Sequence, residues 1–150
     1  MQHFKKILIA PNSFKECADS SEVSLVISKI LKEKLSSNQS KFRFQLLPLS
    51  DGGDGFLNII ALSKEVKVLS FTIPNTLLNS QINVEVAYCE SEKTVYIESA
   101  KTIGISIVPK DQREILKMSS YPMGLVIHNL INQKRFGEID FNKIVIGIGG

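Results

Sequence analysis

FRFQLLPLSDGGDGFLNIIALS, residues 42–63, passes from strand alternation through glycine to a helical period within one short stretch. Phe42, Phe44 and Leu46 recur at every second position, the spacing of a strand with an apolar face. Phe56, Leu57, Ile60 and Ala61 recur at helical spacing. Between them, Ser50–Gly55 holds three glycines and two aspartates. A strand that turns through glycines into a helix is the repeating unit of an open α/β sheet, which binds ligands at the C-terminal edge of its strands.

Upstream, Lys6–Ala10 (KILIA) is short, continuously apolar and closed by Pro11, as expected of a parallel strand buried on both faces. Asp19 then opens DSSE, an N-cap with Glu22 as capping-box partner. Val23, Val26, Ile27, Ile30, Leu31 and Leu35 mark the apolar face of the helix that follows. Downstream, residues 65–73 alternate and stop at Pro74, so residues 1–74 read strand, helix, strand, helix, strand. Residues 81–90 and 93–99 alternate across a link short enough to require an antiparallel hairpin. Residues 100–118 carry no clean period, interrupted by Gly104 and Pro109. A helix is expected from Ser120, with Met123, Ile127, Leu130 and Ile131 inward and Pro122 in its first turn. KIVIGIGG (143–150) reads as a buried strand running into glycines.

The expected fold class is therefore α/β: an open, mostly parallel, flavodoxin- or Rossmann-like sheet with helices on both faces. Residues 1–74 form its N-terminal segment, and 75–150 begin a second α/β domain containing an antiparallel hairpin. A parallel strand ending in GIGG is normally followed by a helix that closes the turn, so the sequence reads as cut short after Gly150.

Composition narrows the classes. With 43% apolar and 22% charged residues the chain has the make-up of a globular protein. Its net charge of +3 comes from scattered lysines, with no Trp and no basic stretch interleaved with aromatics, so no nucleic-acid partner is expected. Cys17 and Cys89 stand apart from one another and from any clustered His, and read as free thiols of a reducing compartment. No apolar run reaches the ~18 residues of a membrane helix, and no secretory leader is visible, so a cytoplasmic location without a membrane partner is expected.

Three loops hold the candidate site residues. In the first, Gly52, Gly53 and Gly55 allow close backbone approach to a ligand and turn N–H groups toward an anion. Asp51 and Asp54 are able to hold Mg²⁺ or accept a hydroxyl proton; alternatively, one of them caps the helix. The loop matches neither the EF-hand nor the GxxxxGK[ST] pattern. PNSFK (11–15) leaves the first strand at the same sheet edge. There Lys15 would place an ammonium on a phosphate or carboxylate with Asn12 or Ser13 donating alongside, or would be a surface lysine near a capping serine. Ser119 and Ser120, in MSSYPMG (118–124), offer two hydroxyls at a helix N-terminus, or its cap. Gly147, Gly149 and Gly150 form a further glycine turn, expected to bind substrate or phosphate, which also fits a dinucleotide-binding module of an oxidoreductase. His128 is isolated on a helical segment and reads as a packing or surface residue.

These stretches together resemble the bacterial glycerate kinase family of the type I, two-domain kind. Its N-terminal signature is close to IAPDSFKGSLSA, and Ile9–Cys17 reads IAPNSFKEC. Its glycine loop resembles ADGGEGT, and Ser50–Phe56 reads SDGGDGF. A middle stretch resembling IExAxAxGLxLVPxxxRNPLxTSSYGxG appears at residues 97–124 as IESAKTIGISIVPKDQREILKMSSYPMG. The family's IGIGGSATNDGG begins at Ile146 and stops at Gly150.

The resemblance implies phosphoryl transfer from ATP, with Mg²⁺, to a hydroxyl of D-glycerate, giving a phosphoglycerate. It also implies two α/β domains with the site in the cleft between them. The partners are then the small-molecule substrate, ATP and a missing C-terminal part of the same polypeptide, the 150-residue chain alone being inactive. Carried over by position, Lys15 neutralises a phosphate or the glycerate carboxylate, and Asp51 positions the hydroxyl or Mg²⁺. Asp54 stands where the family has Glu, and Ser13, Gly52, Gly53, Gly55, Ser119 and Ser120 match family positions. Asn12 stands for Asp, Glu16 for Gly, Glu114–Ile115 for Asn-Pro and Pro122 for Gly. Because Asn12 removes a charge beside the candidate site, a non-catalytic relative that binds a small anion or nucleotide is the alternative.

Overall fold

The structure, a computed structural model, describes residues 4–14, 17–35, 41–75, 80–114, 116 and 119–149. It has an α/β fold in two compact units, Met1–Ser50 and Asp51–Gly150.

The first unit contains β1 (Lys5–Ile9), α1 (Ser20–Lys34) and β2 (Phe42–Leu46), with β1 and β2 paired in parallel from Lys5↔Phe42 to Ile9↔Leu46. The ladder continues past β2 as Leu47 N–H donates to Ile9 and Leu49 N–H to Pro11. The capping box of α1 is formed: Asp19 Oδ1 accepts from Glu22 N–H at 2.8 Å, and Glu22 Oε2 accepts from Asp19 N–H at 3.1 Å. Two expectations change here. Leu8 is 58% exposed and Ile9 is the buried residue of β1, so the strand is not covered on both faces. On α1 the fully buried line is Ser20, Ser24 and Ser28, with Val23, Ile27 and Leu31 half-buried beside it and Val26 and Ile30 exposed. Two strands and one helix leave the unit with one covered sheet face, and the serines lie where the helix is closest packed.

The second unit contains α2 (Phe56–Ser63), β3 (Lys67–Asn75), β4 (Ser80–Cys89), β5 (Thr94–Glu98), α3 (Ala100–Ile103), α4 (Tyr121–Arg135) and β6 (Lys143–Gly147). Its sheet order is β3-β4-β5-β6, antiparallel for the first two pairs and parallel for β5–β6. The boundary expected after residue 74 therefore falls inside the β3–β4 pair, where Pro74 faces Gln81 and Asn75 faces Ser80. The third strand joins the hairpin rather than a parallel run with β1 and β2. Pro74 also does not end its strand, because β3 is an edge and an edge position tolerates a missing N–H.

Strand alternation sends side chains to two cores. Phe71, Ile73, Val84, Val86, Tyr88, Val95 and Ile97 pack with Met123, Val126 and Leu130 of α4. On the opposite face Ala87, Cys89 and Tyr96 pack with Leu57 of α2, flanked by Phe56 and Ile60. Helices thus cover both faces of this sheet. Helix α4 starts as expected, with Pro122 in its first turn, but its buried face is Pro122, Met123, Val126 and Leu130, leaving Ile131 44% exposed. His128 is exposed and bonds Asn132 at 3.0 Å. Among the described residues no helix is long and apolar enough to cross a membrane.

Gly124 lies in the interior of α4, and a Cβ there would meet nothing within 4 Å. Gly124→Ala is expected to raise stability by about 0.5–1 kcal/mol, read as a higher urea midpoint at unchanged slope.

Two ion pairs are made from the β4–β5 turn. Lys64 and Glu92 are hydrogen-bonded, Tyr96 Oη donates to Glu92 at 2.8 Å, and Lys93 pairs with Asp140 at 2.6 Å. The hydrogen bond from Lys64, helped by Tyr96, holds the Glu92 carboxyl below its ordinary value, and Lys93 does the same for Asp140. A carboxyl depressed in the folded state contributes stability above its unfolded value and loses it as pH falls through the folded one. Glu92→Gln with Asp140→Asn is therefore expected to flatten the loss of stability on acidification below the ordinary carboxylate range of about 4. Urea midpoints measured between pH 5 and 3 test this; an unchanged slope against pH contradicts it.

Candidate functional site

The glycine loop that follows β2 is built against the end of β6. A Cβ on Gly147 would lie 2.6 Å from Gly52 O and 2.7 Å from the Phe56 ring. A Cβ on Gly149 would lie 2.0 Å from Gly53 Cα and 2.3 Å from Gly53 N. Gly52 itself has φ +94° and would bring a Cβ to 3.0 Å from Ile148 N. No side chain fits between these two backbones, so the close approach that the glycines permit is to each other. Gly55 is different: its φ is +85° and its surroundings are open, so there glycine serves the left-handed turn into α2.

The amides of this loop have defined partners. Gly53 N–H donates to Asp51 Oδ1 at 2.9 Å, an Asx turn, and Phe56 N–H donates to Gly53 O at 3.1 Å. Gly55 N–H donates to Glu98 Oε1 at 3.1 Å and Leu57 N–H to Glu98 Oε2 at 3.0 Å. The N-cap of α2 is Gly55, so neither Asp51 nor Asp54 caps the helix; Glu98, from the end of β5, does so instead. Glu98 is fully buried, shares the face of β5 that carries Tyr96, and has Lys101 Nζ at 3.9 Å from Oε1. A carboxylate at a helix N-terminus is favoured by the helix dipole.

Asp51 and Asp54 are exposed. Among the described residues no group of three or more His, Cys, Asp or Glu is placed to hold a metal ion. Two exposed carboxylates do match the donor set of Mg²⁺, a hard cation that keeps water and phosphate oxygens as its other ligands.

The other predicted residues lie in local structures of their own. In the first unit, Asn12 Oδ1 accepts from Ser13 N–H at 2.8 Å, and Phe14 and Ala18 form a bridge that closes the loop. Lys15 and Glu16 lie outside the described residues, as do Ile115 and Gly150. Ser119 Oγ accepts from Tyr121 N–H at 2.9 Å at the start of α4, while Ser120, the N-cap, makes no side-chain cap bond. The structure thus brings Asp51, Gly52 and Gly53 together with Gly147 and Gly149. It adds Glu98, which the sequence reading passed over. The available signal was a charged residue closing a strand, TVYIE, in register with the inward-facing Tyr96.

Carboxylates and hydroxyls on glycine-bearing turns at strand ends are the equipment of an α/β enzyme acting on a small polar substrate. The glycerate kinase family model matches residues 7–150. The chain belongs to the glycerate kinase family. It is 30% identical over 146 residues to a glycerate kinase of Halalkalibacterium halodurans, an alignment covering 96% of this chain and 35% of the relative. It is 29% identical over 145 residues to the glycerate 2-kinase of Escherichia coli K12, covering 97% of this chain and 35% of that protein. The crystal structure of the "putative glycerate kinase 2" from Salmonella typhimurium LT2 superimposes with a TM-score of 0.69 at 27% identity, over 99% of this chain and 37% of that one. The chain therefore spans little more than a third of the length of these relatives.

Proposed function

We propose that this chain is the N-terminal portion of a cytoplasmic glycerate kinase, transferring a phosphoryl group from ATP to a hydroxyl of D-glycerate to give a phosphoglycerate and ADP. The observation that carries the reading is the family match across residues 7–150, whose landmark loops include the SDGGDGF turn. Phosphoryl transfer asks a protein chiefly for positioning and for charge placed near the transferred group. Asp51 and Asp54 supply the carboxylates: one orients the glycerate hydroxyl and receives its proton, and together they would hold Mg²⁺. Magnesium, when bound, neutralises charge on the phosphate oxygens.

Because Gly53 and Gly55 spend their amides on Asp51 and Glu98, the glycines are assigned a shaping role rather than that of phosphate donors. Gly52, Gly147 and Gly149 keep the turn thin. Lys15 is assigned to neutralise a phosphate or the glycerate carboxylate, with Asn12 and Ser13 beside it in sequence. Ser119 and Ser120 are assigned as hydroxyl donors to the substrate. The dinucleotide reading of IVIGIGG is set aside, since Gly52 and Gly53 fill the space against Gly147 and Gly149.

The test is ADP release coupled to D-glycerate by the polypeptide at its full cellular length. Glycerate-dependent turnover that requires Mg²⁺ is expected, with none from residues 1–150 alone. Binding of glycerate without turnover would replace the proposal with a non-catalytic, anion-binding relative.

A further inference from the structure

We infer that Glu98 is the positioning residue of the glycine loop: its buried carboxylate fixes the start of α2 and thereby the place from which Asp51 and Asp54 act. The inference rests on the glycerate kinase reading for its catalytic consequence, but not for its geometry. Both carboxylate oxygens are used, one on Gly55 N–H at 3.1 Å and one on Leu57 N–H at 3.0 Å, by a side chain with no exposed surface. The partners lie 43 and 41 residues away in sequence, so the bonds join the loop to the sheet rather than closing a local turn. Helix α2 has no local carboxylate for this purpose: its N-cap is glycine and its first turn holds no acidic residue.

A buried carboxylate is a poor choice for packing alone, because its desolvation must be offset by hydrogen bonds that stay in place. On the same sheet face lies the apolar cluster of Leu57, Ala87, Cys89 and Tyr96, which an apolar residue at this position would have extended without that cost. If the loop lifted, both amides would leave the carboxylate, with Lys101 Nζ no nearer than 3.9 Å to take their place. The docked loop is therefore strongly preferred, and its carboxylates are held in place before substrate arrives, which is where much of the rate of a positioned reaction originates.

The experiment uses the full-length polypeptide and its Glu98→Ala and Glu98→Gln variants, with Glu92→Gln as an ion-pair control on the same sheet. Amide hydrogen exchange by NMR is read at Gly55 and Leu57 against Val86 and Val95, and kcat is normalised to folded protein. Glu98→Ala is expected to speed exchange at Gly55 and Leu57 by about tenfold or more while the β4–β5 amides hold. It is expected to lower kcat by about a hundredfold with KM for ATP changed by less than about threefold. Glu98→Gln, which keeps one acceptor oxygen, should recover part of both, and it carries the test if Glu98→Ala does not fold. Unchanged exchange at Gly55 and Leu57 would overturn the inference. So would faster exchange at unchanged kcat, which would reduce Glu98 to a structural cap. Should the parent protein fail to phosphorylate D-glycerate at all, the functional reading falls, while the exchange measurement still decides the Glu98 contacts.

Discussion

Gly147→Ala is expected to lower stability by about 2–3 kcal/mol. The position is fixed from both sides. Gly147 pairs with Glu98 in the β5–β6 ladder, and its carbonyl accepts from Ser99 N–H at 3.1 Å, so the strand cannot retreat. The added Cβ would point at Gly52 O, 2.6 Å away, and at the Phe56 ring, which is itself packed on Tyr96 with centroids 6.3 Å apart. Backbone cannot change rotamer, so the glycine loop must move, and with it the Gly55 and Leu57 bonds to Glu98. Urea unfolding checks this directly. A loss below about 0.5 kcal/mol would mean that the two glycine turns are not in contact in solution. The opposite sign expected for Gly124→Ala provides the internal comparison, since the same chemical change is made where space is open.

The second large effect is catalytic. In the full-length polypeptide, Asp51→Asn is expected to lower glycerate-dependent turnover by on the order of 10²–10³ while leaving stability within about 0.5 kcal/mol. The asparagine keeps a side-chain carbonyl in the place of Oδ1, so the Asx turn to Gly53 N–H persists; only the charge and the proton-accepting capacity are removed. Asp51→Ala removes the turn as well, and should lose both activity and loop order. Comparing the two variants separates the chemical role of the carboxylate from its structural one. Turnover of Asp51→Asn within a factor of about three of the parent would take Asp51 out of the reaction.

Much of the element order was legible because hydrophobic periods are local. The alternation at 42–46, 81–89 and 94–98 and the capping box at Asp19 and Glu22 became strands and a helix where expected. What depends on distant partners was not. Pro74 looked like a strand end because sequence does not announce which strand is an edge. Six apolar positions on α1 promised a buried stripe, but the stripe needs something to lie on, and a two-stranded sheet gives the helix's closest contact to Ser20, Ser24 and Ser28. The face of α4 turned so that Val126 replaced Ile131 inside. Glycine raised the right question at Gly52 and Gly53: something must approach the backbone. The answer, Gly147 and Gly149, lies nearly a hundred residues away, where no local pattern reaches. Glu98 stayed hidden for the same reason, since its partners come from a loop more than forty positions earlier.

The sequence of the loop, two aspartates beside glycines at a strand end, prompted the expectation of a polar ligand but gave no hint of how the loop is held. The structure redistributes the work: amides hold the loop, and carboxylates face solvent.

The most direct measurement is ³¹P NMR of ATP, Mg²⁺ and D-glycerate incubated with the full-length polypeptide and with its Asp51→Asn variant. A new phosphomonoester signal growing in step with ADP, and nearly lost in the variant, is the predicted result. Inorganic phosphate in place of the monoester, no change in ATP, or equal monoester from both proteins would contradict the assignment of Asp51 to phosphoryl transfer onto glycerate.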